Sequence, residues 1–212
     1  MAEDRLPAGV AVRGIGLMLL VTAGLALAGP PTMESVVLFN TTCAQCHEME
    51  CSRRLSFASS APVANASGHI QNYAGPLGAT KVAELFGLIK YTKTQCDYYA
   101  PQVAAPPDGI WSAEALAPLG TPSRTGWFVP LGNLRAGAWT LDLALQSDRT
   151  VEIEVVSRSG PVVQGEVAPA EQGAHLTFIV NDAGTPHFLR LRGHAPISFT
   201  RAVLDEQRGK GN

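Results

Sequence analysis

Trp139-Thr140-Leu141-Asp142-Leu143-Ala144-Leu145-Gln146 alternates apolar side chains with polar or small ones. Successive residues of an extended strand point to opposite faces, so this pattern predicts a strand with one buried and one solvated face. The period returns on both sides. Downstream, Val151, Ile153 and Val155 alternate with Glu152 and Glu154, and Leu176, Phe178 and Val180 repeat the pattern. Leu189 and Leu191 alternate with Arg190 and Arg192, and Ile197 and Phe199 with Ser198 and Thr200. Gly132-Asn133, Ala136-Gly137-Ala138, Ser147-Asp148, Ser159-Gly160-Pro161, Asn181-Asp182-Ala183-Gly184 and Gly193 mark turns between the runs. About six to eight short strands at this spacing predict an antiparallel β-sandwich, jelly-roll or immunoglobulin-like, over 125–204. Residues 205–212 are expected to form a flexible tail.

Upstream, the composition changes. Pro101, Pro106, Pro107, Pro118 and Pro122 break any long element, so 101–124 reads as a linker with a helical turn at Ala113–Leu116. Before it the period is helical. Val82, Leu85, Phe86 and Ile89 fall at i, i+3, i+4 and i+7, with Thr80 placed to cap the helix and Gly75-Pro76 breaking the chain ahead of it. Val36, Phe39, Cys43, Cys46 and His47 form a second apolar stripe. Thr32 is its expected N-cap, Glu34 sits in the first turn, and the helix is expected to run to about Arg54. The fold class is therefore a small helical domain over 29–100 followed by an all-β domain.

The second stripe contains Cys43-Ala44-Gln45-Cys46-His47, a C-x-x-C-H run. Two thiols at this spacing can each bond one vinyl group of a haem, and the adjoining histidine then supplies a nitrogen to the iron. A thioredoxin-like redox pair would need a preceding strand and a βαβ frame, which the sequence does not display. Half of a zinc site would need a second compact ligand pair, and Cys51 and Cys96 are far apart. The run and its helix resemble the c-type cytochrome family. That resemblance implies one covalent haem c, with Cys43 and Cys46 holding the ring, His47 as proximal iron ligand, and maturation outside the cytoplasm.

Many small c-type cytochromes place a methionine on the sixth iron position. Here Met49 is too near His47 and Met33 precedes the run. His69 is the other histidine of the helical segment and the expected distal ligand, with a remote histidine or an open position as alternatives. Two imidazoles would give a lower reduction potential than histidine with methionine. The leftover cysteines, Cys51 and Cys96, are expected to pair in an oxidising compartment. Tyr91, Tyr98 and Tyr99, and Arg53-Arg54, could approach a haem propionate, but packing and solvated roles are the commoner ones.

Residues 1–28 read as a signal peptide. Arg5 and Arg13, with Glu3 and Asp4, precede an apolar run from Gly14 to Ala28 that ends Ala26-Leu27-Ala28, a small-x-small cleavage pattern. A periplasmic or otherwise exported protein follows, membrane-anchored if the segment is retained. The net charge is −2 and the lysines and arginines are dispersed, which argues against a nucleic-acid surface. Charged residues make up 16%, with 21 glycines and 15 prolines, a balance that fits a compact turn-rich chain rather than a disordered one.

Ala136-Gly137-Ala138-Trp139-Thr140-Leu141 and Phe188-Leu189-Arg190-Leu191-Arg192-Gly193 look like strands of small exported accessory sandwiches, such as carbohydrate-binding modules and pre-peptidase C-terminal domains. The likeness is at the level of fold, and a fold does not fix a function. No aromatic platform for sugar stacking and no Asp-rich calcium loop is legible, and His175, His187 and His194 read as surface or half-buried residues. No Gly-x-Ser-x-Gly, His-Glu-x-x-His or phosphate-binding glycine loop occurs. The expected function is electron transfer rather than catalysis. Its partners would be redox proteins, alone or in a membrane or multi-subunit complex, with a homo-oligomer through the sandwich as a further expectation. A haem-based sensor or peroxidase-like subunit, and an exported structural or carbohydrate-binding protein, are the alternatives.

Overall fold

The computed structural model describes residues 29–44, 64–169 and 171–207. Eight antiparallel strands form two four-stranded sheets. They are β1 (Ile110–Ser112), β2 (Gly126–Asn133), β3 (Gly137–Gln146), β4 (Val151–Ser157), β5 (Gly160–Val167), β6 (Ala174–Val180), β7 (Pro186–Gly193) and β8 (Ser198–Glu206). The first sheet has the order β1-β8-β3-β6 and the second β2-β7-β4-β5. Chain neighbours mostly alternate between the sheets, as in a jelly roll. Between the sheets lies the main core, including Leu141, Leu143 and Leu145 of β3, Val151, Ile153 and Val155 of β4, and Phe199 of β8. These are the positions the alternation assigns inward.

Among the described residues, four α-helices accompany the sandwich. α1 (Met33–Leu38) continues as a π-helical turn (Phe39–Cys43), and α2 (Ala64–Ala74), α3 (Ala79–Gln95) and α4 (Ala113–Leu116) follow. The Thr32 side chain caps α1 by accepting from the Ser35 amide at 3.4 Å. Its hydroxyl also donates to Glu84 of α3 at 2.7 Å, and Lys81 of α3 pairs with Glu34. α3 starts after Gly78, one residue ahead of the expected Thr80 cap, and ends on Cys96 in the left-handed conformation.

The helices cover the second sheet. Val37 of α1 and Tyr98, just beyond α3, pack with Phe128, Val156 and Phe188 on the sheet face turned away from the sandwich core. Phe128 and Phe188 stack with centroids 4.8 Å apart. This corrects the expectation that Arg190 and its neighbours form a solvated face. β2 and β7 are buried on both sides, and Arg190 is 1% exposed. Double burial also explains why β2 carries the unbroken run Trp127-Phe128-Val129 instead of an alternation. Pro130 is accommodated because β2 lies at a sheet edge, next to a bulge at Gly132.

Two boundaries move. The expected linker 101–124 contains β1, which pairs with β8, and contributes Trp111, Leu116 and Leu119 to the sandwich core. Prolines there punctuate short elements without detaching them. The expected tail begins inside β8, where Asp205 and Glu206 pair with Thr140 and Trp139. Among the described residues no helix is long and apolar enough to cross a membrane. The expected signal segment lies outside the described residues.

Candidate functional site

The turn that carries the first motif thiol is held from several directions. Val36, Phe39, Cys43 and Ala44 join Ile70 of α2 and Val82, Leu85, Phe86, Leu88 and Ile89 of α3 in one apolar cluster. Cys43 is 9% exposed at the edge of that cluster. The predicted stripe is therefore inward-facing as far as Ala44. Cys46, His47, Cys51, Arg53 and Arg54 lie outside the described residues, and with them the rest of the expected helix and the Cys51 end of the expected Cys51–Cys96 bond. No disulfide joins two described residues. Nor do three or more described His, Cys, Asp or Glu side chains gather as a metal site.

The π-helical turn ties this segment to the sandwich. The Ala44 amide bonds to the carbonyl of Phe39, five residues back. The carbonyl of Asn40, which an α-helical Ala44 would have used, accepts from Arg190 Nη1 at 3.4 Å instead. Asn40 Nδ2 donates to Val36 O at 2.9 Å and Tyr99 O at 3.2 Å. Thr41 lies so close to β2 that a Cβ on Gly126 would stand 2.9 Å from the Thr41 Cβ. Glycine at 126 is what allows the turn to seat on the sheet.

Arg190 is itself held by Glu154, its Nε donating to Oε2 at 2.7 Å. Arg192 Nη2 reaches the same oxygen at 3.0 Å, and Gln164 Nε2 donates to Oε1 at 2.7 Å. Burial pushes the Glu154 carboxyl up, but the hydrogen bond and charge of Arg190, the charge of Arg192 and the Gln164 bond outweigh it. The net position is below the usual carboxylate range.

The histidines separate. His69 is on the exposed face of α2, its ring 5.0 Å from that of Tyr73, while the adjoining Ile70 enters the Cys43 cluster. His175 Nδ1 lies 2.6 Å from Asp142 Oδ1 on the surface. His187 is fully buried; its Nδ1 donates to Thr185 O at 2.9 Å and its Nε2 stands 3.3 Å from Asp182 Oδ1. Ser157 and Ser159 hydroxyls donate to the other Asp182 oxygen at 2.9 and 3.1 Å. Burial raises the Asp182 carboxyl, and these hydroxyls together with His187 more than offset that, leaving it lowered. Because both serines face the carboxylate rather than the imidazole, the group clasps two turns together and does not form a hydrolytic triad.

His194 lines a 520 Å³ cavity between the helices and the second sheet, with Thr41, Thr42, Tyr73, Glu152, Glu166 and Arg192 also in its wall. Sequence reasoning missed this cavity, since its walls come from six separate stretches of chain.

Of the expected haem-holding residues, the described ones are Cys43, buried at the edge of an apolar cluster, and His69, exposed on the helix that packs against the same turn. His69 does not point into the Cys43 cluster, so a ligand role for it rests on the exposed face of α2.

No protein family and no curated protein matches the chain. Among solved structures, a ruminal GH26 endo-β-1,4-mannanase is similar at 10% identity and TM-score 0.36, over 50% of this chain and 27% of that one. The apo form of BiXyn10A CBM1 is similar at 12% identity and TM-score 0.32, over 42% of this chain and 68% of its own. A glycoside hydrolase family 43 arabinoxylan arabinofuranohydrolase from Bacillus subtilis gives 18% and 0.29, over 40% of this chain and 20% of that enzyme. This chain thus spans only about a quarter of the mannanase. At these scores the likeness carries no argument.

Proposed function

We propose that the chain is an exported c-type haem protein that passes single electrons between redox partners. The observation that supports this most is the burial of Cys43, the first thiol of the C-x-x-C-H run, in an apolar cluster built from α1, α2 and α3. Cys43 and Cys46 would hold the ring, His47 would ligate iron, and His69 would serve the opposite side. A bound haem supplies a one-electron iron couple. The chain's own contribution is to exclude water around Cys43, to fix the turn through Asn40 and Arg190, and to carry His69 on a helix packed against that turn. The sandwich would serve to dock partners or to seat the haem segment in an assembly.

Ferric and ferrous absorption spectra of periplasmically matured protein test the ligand set. Two histidine ligands predict a low-spin spectrum that is indifferent to carbon monoxide, and His69→Ala should make the ferrous form bind carbon monoxide. Immediate carbon monoxide binding by the wild type would instead indicate an open position and a sensor or catalytic role.

An exported carbohydrate-binding protein is the second candidate, favoured by the sandwich architecture it would share with carbohydrate-binding modules. It predicts no covalent haem. Trp111 and Trp127 are buried in the core, and the Trp139 indole donates to Arg135 O at 3.0 Å, so none of the three offers a flat exposed platform.

A further inference from the structure

Two rows of side chains cross the outer face of the second sheet. In the first, Arg190 of β7, Glu154 of β4 and Gln164 of β5 stand in register. Both oxygens of Glu154 are engaged within that row, which is neutral as an ensemble. The next row repeats the plan with Arg192, Glu152 and Glu166. Arg192 Nε again reaches the central carboxylate, Glu152 Oε2, at 3.1 Å. The third position, however, is a glutamate where the buried row has glutamine. Glu152 and Glu166 face each other across adjacent strands, an arrangement that by itself destabilises a sheet.

This second row forms the sheet wall of the 520 Å³ cavity. Tyr73, 65% exposed, also lines the cavity, and Thr150 and His194 contribute to the lining. The volume falls within the range of small-molecule sites. Arg192 is already paired with Glu152 and Glu154, so the row keeps one surplus carboxylate, Glu166, which disfavours an anionic ligand. A neutral ligand with adjacent hydroxyls suits the whole row, because each hydroxyl donates to a carboxylate and accepts from a guanidinium. The apolar face of a sugar ring would also find the Tyr73 ring.

We propose that this cleft binds a neutral polyhydroxylated ligand, a mono- or disaccharide unit, between Tyr73 and the Arg192–Glu152–Glu166 row. Thr41 and Thr42 of its wall directly precede Cys43, and the Tyr73 ring lies 5.0 Å from that of His69, so the cleft adjoins the proposed haem site.

Isothermal titration of the full matured chain with cellobiose, mannobiose and xylobiose tests the proposal, with putrescine and citrate as charged probes. Millimolar or tighter binding of a disaccharide is expected, weakened at least tenfold in Tyr73→Ala and in Glu166→Ala. Both positions are at the surface of the cleft, and circular dichroism verifies that the variants remain folded. Disaccharide binding by the wild-type chain, read beside its intact mass with or without a bound haem, separates this result from the fate of the haem assignment. No disaccharide binding, binding that ignores both substitutions, or binding only of putrescine or citrate would overturn the proposal.

Discussion

Arg190 joins three parts of the molecule through one side chain. It is buried in the second sheet, paired to Glu154, and donates to the backbone of the turn that leads into Cys43. Removing one partner of a buried pair leaves a charge uncompensated, at a cost of about 3–5 kcal/mol. Arg192 and Gln164 still contact Glu154, so Arg190→Met should cost near the lower end, about 3 kcal/mol, in urea denaturation at neutral pH. The acid limb should change too. Glu154 is lowered in the folded state, so its contribution is present above the usual carboxylate range and is lost as pH falls through the folded value. Arg190→Met should flatten the fall in stability on acidification. An unchanged midpoint and an unchanged acid limb would mean that the pair is not the strut described.

At the scale of elements, Cys96 ends α3 with φ of 53°, a conformation that costs a residue with a Cβ and suits glycine. Cys96→Gly therefore separates two states by sign. Without a bond to Cys51 it should stabilise the protein by about 1 kcal/mol. With the bond, its loss should cost about 2–5 kcal/mol, more than the relief of strain. Thermal unfolding of oxidised and reduced protein measures both, and the expected pairing predicts destabilisation in the oxidised form only. The elements differ in how much of them the sequence discloses. β3, β6 and β8 display their alternation because one of their faces meets solvent. β2 does not, because α1 and Tyr98 cover its second face; β7 does alternate, and for that reason Arg190 looks like a surface residue until the Asn40 carbonyl and Glu154 are seen around it. The proline-marked 101–124 conceals β1, since a strand as short as Ile110–Ser112 has no period to read.

The whole molecule is a sandwich with a helical layer laid on one sheet. Val37, Phe128, Val156, Phe188 and Tyr98 form the apolar seal between layer and sheet, and the close approach of Thr41 to Gly126 fixes its seat. The burial of Cys43 was legible because Val36, Phe39 and Cys43 fall on one helical stripe. The cleft was not, because Tyr73 and Glu166 become neighbours of one cavity only after the layer docks. The expectation of a solvated outer face likewise failed at this scale, where the position of the layer decides which alternate residues meet water. With Cys43 at the end of a turn seated on the sheet, the proposed haem would be held in a fixed place. The intact mass of the denatured, periplasmically matured protein tests the central claim most directly. The account predicts the cleaved chain plus one haem, and loss of normal double attachment in Cys43→Ser. A wild-type mass equal to that of the bare chain, or haem retention unaffected by Cys43→Ser, would contradict it.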